Sequence, residues 1–283
     1  MCNLFLCRFT LTTHISGCIM VVIKQIRIYD MNFESRKTTD YYGKIFLSNS
    51  CGFYQITLAN NTVNMEATFL KTNTKVRVNA TQVDKGGVAD PYYPSLCNIG
   101  YLGECSSTSD EEERQLKEYV SWYGMIRRCY GNENLEAYKY IIVSEEFLNF
   151  AYFQEWYHKQ IGAGVDGFEL DKDILSTDVK IYAEDTCVFV PSEVNMFFAK
   201  TGSKRGEYPI GVSWHKGTKQ FRSTYNNGVD GKVMICHDNE WEAFLAYKRA
   251  KESRGKALAE KWRGKIDNRV HEKLVNYKVL ITD

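Results

Sequence analysis

The 283-residue chain is 44% hydrophobic and 25% charged, with four prolines, which excludes a disordered or collagen-like polymer and suits more than one folded domain. Its net charge of +1 hides a split. Residues 200–283 carry 18 Lys/Arg against 10 Asp/Glu, a net of +8, while residues 1–199 carry a net of −7, so a basic tail that meets a polyanion follows an acidic body.

The first residues, MCNLFLCRFTLTTHISGCIMVVIKQIRIYD, are apolar in patches, but Arg8 and His14 interrupt them before they reach the length of a membrane span. Residues 1–41 read as an extension or upstream read-through, with translation starting at Met20 or Met31. The nine cysteines form no CxxC pair, so no zinc or redox motif is visible, and their odd number suits reduced thiols in a cytoplasm.

Residues 42–105 read as a small β-barrel-like module. YQITL (54–58), VNMEATFL (63–70) and KVRVNAT (75–81) alternate apolar and polar positions between Asn-rich turns. A helical region follows. Ser109 or Asp110 is expected to cap a helix that presents Leu116, Tyr119, Tyr123, Ile126 and Tyr130 on one face, with Arg127 and Arg128 on its more polar side, either as phosphate contacts or, the commoner case, as exposed helix-end arginines. A second helix is expected over about 145–160, with Leu148, Phe153 and Trp156 inward.

The stretch GFELDKDILSTDVKIYAEDTCVFVP (167–191) reads as a hairpin with Glu169, Asp171 and Asp173 around Lys172, and a short helix carrying Asn195 behind it. Glu169 and Asp171, two residues apart, face one side of a strand. Cys187 reads as a buried thiol, and His158 as a surface residue of the preceding helix. Three short strands follow near 210–215, 219–226 and 231–237, then a helix capped by Asp238 with Trp241, Phe244, Leu245 and Lys248 on one face. Trp214, Lys216, Lys219, Arg222, Tyr225 and Lys232 lie on or beside these strands. A twisted sheet of this kind enters a major groove, where arginine reads guanine edges and lysine anchors phosphate. The plainer reading is a solvated basic sheet. A last helix over 255–283 carries Leu258, Trp262, Ile266, Val270 and Leu274 at four-residue intervals as a docking face.

YPIGVSWHKGTKQFRSTY…GKVMICHDNEWEAFLAYKRAKE (208–252) resembles an APETALA2-type, integrase-like DNA-binding domain, on Gly211-Val212, Phe221-Arg222, Gly231-Lys232 and Glu242-Ala243-Phe244-x-Ala246-Tyr247. DPYYPSLCNIGYLGE (90–104), SWYGMIRRCY (121–130), EEFLNFAYFQEWY (145–157), LDKDIL (170–175) and IYAEDTCVFVPSEVN (181–195) resemble, in that order, phage HNH-like homing-endonuclease proteins. The resemblance implies an α+β multidomain chain: the β module, an HNH-like ββα-metal region over 112–199, the three-strand DNA-binding domain over 208–252, and the C-terminal helix. It implies double-stranded DNA as partner, a phage-encoded protein in the host cytoplasm, and metal-dependent phosphodiester hydrolysis with Mg²⁺ or Mn²⁺. No small-molecule substrate or membrane partner is indicated.

The hairpin departs from the HNH pattern. It has no histidine to act as general base, and LDKDIL stands in that place. Two readings stay open here. In one, Asp171, Asp173 and Asn195 hold the metal while Asp171, Lys172 or Asp173 orients or activates water. In the other, the acids are a solvated edge, Lys172 is their counter-charge, and the protein binds DNA as a regulator or accessory factor without cutting it.

Overall fold

The computed structural model describes residues 37–131, 138, 140–176, 179–199, 207–226, 228 and 231–282. Most of the expected N-terminal extension lies outside the described residues. The architecture is mixed α+β with several small sheets, and it breaks into two compact units between Tyr93 and Pro94.

The first unit is a four-stranded antiparallel meander of β1 (Ile45–Ser48), β2 (Gly52–Ala59), β3 (Met65–Phe69) and β4 (Lys75–Val78), followed by the short helix α1 (Ala80–Asp84). One face alternates Tyr54, Ile56, Met65, Ala67, Phe69 and Val78 into a core that Val83 and Val88 complete. The strands pair only in chain order, so the sheet is open and the expected barrel does not close. Two boundaries differ from the sequence reading. Tyr41 belongs to this unit, buried and bonded to Asp84. The strand expected to run to 81 ends at Val78, because Asn79 caps α1 in a reciprocal capping box with Gln82.

The second unit opens with the segment 94–105, whose Leu96, Ile99 and Leu102 pack against the helical core rather than the β module. That core is built from α2 (Lys117–Tyr130), α3 (Glu145–Leu148) and α4 (Phe150–Tyr157) around Trp122, Met125, Phe147, Phe153 and Trp156. Helix α2 starts later than expected, and Asp110 instead closes a turn by accepting from the Glu112 and Arg114 amides. Its buried face centres on Trp122, while Tyr123 sits at the rim, where an amphipathic ring keeps its hydroxyl wet. The single helix expected over 145–160 is broken at Asn149, whose side chain caps α4.

Strands β6 (Phe168–Asp171) and β8 (Val188–Pro191) pair antiparallel, and β8 runs directly into α5 (Ser192–Phe198). Between them β7 (Ile181–Tyr182) pairs parallel with β5 (Ile142–Val143). Strand β8 is buried along its whole length because it divides two cores: Phe189 faces the helical core, while Val188 and Val190 face α5 and the C-terminal helices.

Strands β9 (Val212–His215), β10 (Gln220–Asn226) and β11 (Lys232–His237) form an antiparallel sheet backed by α6 (Glu240–Lys261). Asn239, not Asp238, caps α6 by accepting from the Glu242 amide; Asp238 is taken up by the Gln220 side chain. Trp241, expected on one face with Phe244, is exposed one turn ahead of that buried ring. The C-terminal helix expected as one element is two. Helix α6 continues past 252 to Lys261, a turn follows, and α7 (Asn268–Val275) returns. Gly264 sits in that turn at φ +68°, a conformation that favours glycine. The turn folds the apolar stripe back on itself, so Leu258, Ile266, Val270 and Leu274 all enter one core with Val190, Val194 and Phe197.

Candidate nucleic-acid interface and hairpin site

The register of the C-terminal sheet sorts its residues by face. Ser223 is fully buried and Tyr225 packs toward Phe244, Tyr247 and Val279, so Phe221, Ser223 and Tyr225 form the face that α6 covers. Trp214 stands directly opposite Phe221, with ring centroids 4.9 Å apart, and shares that face. Arg222 pairs with Ser213 and Cys236, Thr224 with Met234, and Asn226 with Lys232; these residues form the other face. Tyr225, expected at DNA, therefore packs behind the sheet, and Trp214 shares that face but stays exposed on the edge strand β9, while Arg222 and Lys232 stand on the opposite face. Lys216 and Lys219 are exposed in the β9–β10 turn beside them.

The open face is mostly polar, with Met234 and Cys236 among its polar side chains. His215 Nδ1 lies 2.9 Å from the Thr218 hydroxyl, and Gln220 donates to Asp238 at 3.2 Å. The Arg222 guanidinium lies along Met234, with Nη1 3.8 Å from Sδ. His237, at the strand end, turns to the covered face and meets the Ser223 hydroxyl at 2.9 Å. Ser213 and Gln220 supply donors and acceptors that the sequence reading had left out. The alternation about Arg222, a period of two, was the signal for them.

In the hairpin, the antiparallel pair β6–β8 leading into α5 is a ββα unit. Its junction is held by Glu169, whose carboxylate accepts from Ser192 Oγ at 2.6 Å and from Asn195 Nδ2 at 2.7 Å. These two hydrogen bonds hold Glu169 below the usual carboxylate range. Asp171 lies two residues along the same strand face. Its Oδ1 accepts from the Asp173 amide at 2.9 Å and the Ile174 amide at 2.7 Å, which makes LDKDIL a side-chain-closed turn. Burial pushes the Asp171 carboxyl up, against the pull of those amides.

Lys172 is only 5% exposed. Its ammonium reaches Asp173 Oδ2 at 2.6 Å and lies 5.4 Å from the Tyr182 ring centre and 5.8 Å from that of Tyr138. Arg128 comes from α2 to the same ring at 5.9 Å, with its Nε buried, so it lines this cluster rather than an outer phosphate face. Arg127 is exposed and lies over Tyr123. Cys187 is fully buried, and burial pushes its thiol up to about 12, as a structural cysteine requires. His158 is exposed and meets Glu118 at 3.3 Å.

The structure thus brings Asn195 to Glu169 and separates the roles of Asp171 and Asp173, one closing a turn and the other pairing with Lys172. Among the described residues no three His, Cys, Asp or Glu side chains form a group that could hold a metal ion. The Glu169 carboxylate, the Ser192 hydroxyl and the Asn195 amide oxygen are nonetheless hard donors of the kind magnesium takes. Among the described residues no helix is long and apolar enough to cross a membrane. No protein-family model matches the chain, and no curated protein or solved structure matches it.

Proposed function

We propose that the chain binds duplex DNA through the open face of β9–β11 and acts on it as an HNH-like, homing-type endonuclease. The binding half of this reading rests on one observation: Ser213, His215, Gln220, Arg222 and Lys232 stand on a sheet face that α6 leaves uncovered, beside Lys216 and Lys219. An antiparallel ribbon of this width fits a major groove, where arginine and amide side chains read base edges and the turn lysines meet phosphate.

The cleaving half is supported by the order β6, β8, α5, with carboxylates on the first strand and Asn195 on the helix. Glu169 and Asn195 would hold a divalent metal there, with Asp171 further along the same face; a half-turn of the Asn195 amide presents its oxygen. The metal supplies Lewis-acid stabilisation of the phosphate and leaving oxygen. The chain's own part is to position: Ser192 orients the Glu169 carboxylate, and the Asp171 turn fixes the end of the strand.

A second reading, DNA binding without cleavage, is favoured by Lys172. It occupies the place of the general base but is buried and ion-paired to Asp173. A lysine enclosed by two tyrosine rings and committed to Asp173 offers no free group to an attacking water. The deciding experiment incubates genomic DNA with the protein and Mg²⁺ or Mn²⁺, beside Asp171→Ala/Asp173→Ala and Glu169→Ala/Asn195→Ala. Metal-dependent cuts lost in the second variant support the nuclease with the metal at the Glu169–Asn195 junction. Tight binding with no cuts under either metal selects the second reading.

A further inference from the structure

The chain passes from α5 to the sheet through residues 199–211, yet the sheet does not hang from that segment alone. Helix α6 returns and holds both elements. Its first half backs the sheet with Ala243, Phe244 and Tyr247, all buried. At the far end of β10, Arg254 donates to the Asn226 carbonyl at 3.1 Å and to its side-chain oxygen at 2.7 Å. Its second half grips α5 at both ends. Lys251 Nζ donates to the Phe197 carbonyl at 2.6 Å, and Trp262 Nε1, just past the helix end, donates to Glu193 at 2.8 Å, with Lys261 on the same carboxylate.

One turn of helix, 251–255, therefore touches the reading sheet and the ββα unit together. Gly255 lies in that turn, and a Cβ there would stand 3.0 Å from the Leu274 carbonyl oxygen and 3.1 Å from the Phe197 ring. The C-terminal tail adds a second tie. Val279 is buried against Phe244 and Tyr247, its amide donates to Glu252 at 3.0 Å, and Lys248 donates to its carbonyl at 2.5 Å.

We infer that the protein contacts the duplex in two zones at one constant offset, because the sheet and the ββα unit are keyed to the same turn of α6. Lys251 and Arg254 are its positioning residues. The inference rests on the DNA-binding reading above and holds whether or not the ββα unit cuts. The alternative, two modules on a flexible linker, makes a different prediction. Ten flexible residues span about 17 Å root-mean-square, which scatters the second contact over about five base pairs. A continuous helix gives no such scatter.

The test selects duplexes from a randomised library with the full chain and maps backbone protection by hydroxyl-radical footprinting. Two protected blocks are expected, separated by the same number of base pairs in every selected duplex, including duplexes whose intervening bases have been exchanged. In Lys251→Gln/Arg254→Gln, the block under the sheet is expected to persist while the second weakens or shifts. A single block confined to the sheet's site, or an offset that varies among duplexes, overturns the inference on the wild-type protein alone, whatever the folding of the variant. An unchanged footprint in a folded variant removes Lys251 and Arg254 as its cause. Failure to select any duplex is a different result, because it sinks the DNA-binding reading from which the inference starts.

Discussion

The side-chain amide of Asn195 donates to the Glu169 carboxylate at 2.7 Å, joining the first helical turn after β8 to the neighbouring strand β6. With Ser192 on the other oxygen, the pair fixes how the helix leaves the hairpin. The neighbouring acids are used differently: Asp171 is enclosed, and Asp173 is paired with Lys172.

This relationship has a pH signature. Glu169 is held below its ordinary value near 4.5 by the Ser192 and Asn195 hydrogen bonds. A carboxylate depressed on folding contributes stability above its unfolded pKa and loses it as pH falls through the folded one. Wild type and Glu169→Gln should therefore differ most above about pH 5 and converge under stronger acid. The site is open to solvent, so the difference at neutral pH is expected to be only about 1 kcal/mol. Urea midpoints at pH 7 and pH 3 measure it; a gap that widens on acidification contradicts the assignment.

Lys172 separates a structural from a catalytic part for LDKDIL. Its partner Asp173 is more than half exposed and can hydrate alone, so removing the lysine leaves little stranded charge. The cost of Lys172→Ala is then mainly lost packing against Tyr182 and Tyr138, about 2–3 kcal/mol, as for other large-to-small changes in a core. Lys172→Met fills the space and is expected to recover most of that loss. If the lysine is structural, Lys172→Met keeps whatever DNA binding or cutting the wild type has. A stable Lys172→Met protein that binds normally but has lost metal-dependent cuts would show a chemical part instead.

The two faces of the C-terminal sheet predict two different kinds of variant. Arg222→Ala and Lys232→Ala should weaken DNA binding without moving the thermal midpoint. If Arg222 reads a base it also relaxes sequence preference, costing about 1–3 kcal/mol at one position, whereas a phosphate contact weakens all sequences alike and flattens the salt dependence. Tyr225→Ala should behave in the opposite way, losing about 2–4 kcal/mol of stability because its ring packs toward Phe244 and Tyr247. Equilibrium binding across a salt series, run beside thermal melts, separates the two classes. Affinity that tracked Tyr225 and ignored Arg222 would put the DNA on the wrong side of the sheet.

Period and punctuation made much of this legible. The β9–β11 strands, the break before α6, and the antiparallel β6–β8 pair lie within a few residues of where alternation and turn residues put them. What stayed hidden was either too short to show a period or long-range. Strand β1 is four residues with no full alternation to announce it, and its partner comes only after the Asn49–Ser50 turn. The Leu258–Leu274 stripe reads as one straight helix because a four-residue spacing survives the turn at 262–267; only Gly264 marked the fold-back. Residue type alone does not tell the two sheet faces apart: Trp214 pairs with Phe221 on the face of Tyr225, although it stays exposed on the edge strand. Glu169 was visible as the partner of Asp171 on one strand face, but its bond to Asn195 depends on how α5 leaves the hairpin, which no local pattern encodes.

Gly255 offers a test in which two effects oppose each other. In an exposed helix interior, Gly→Ala gains about 1 kcal/mol from propensity and the restricted unfolded chain. Here the added methyl would meet the Leu274 carbonyl oxygen at 3.0 Å and the Phe197 ring at 3.1 Å. Neither is the loose end of a flexible side chain: the first is backbone of α7, and the second is a ring buried in the same core. Overpacking of this kind costs about 1–3 kcal/mol, so it outweighs the propensity gain and Gly255→Ala is expected to lower stability by about 1 kcal/mol or more. Ala250→Gly, five residues earlier on the same helix and only partly buried, should also destabilise, there chiefly through propensity. Denaturant midpoints of the two variants check the argument. A Gly255→Ala protein more stable than wild type would mean that α7 and α5 yield at this crossing.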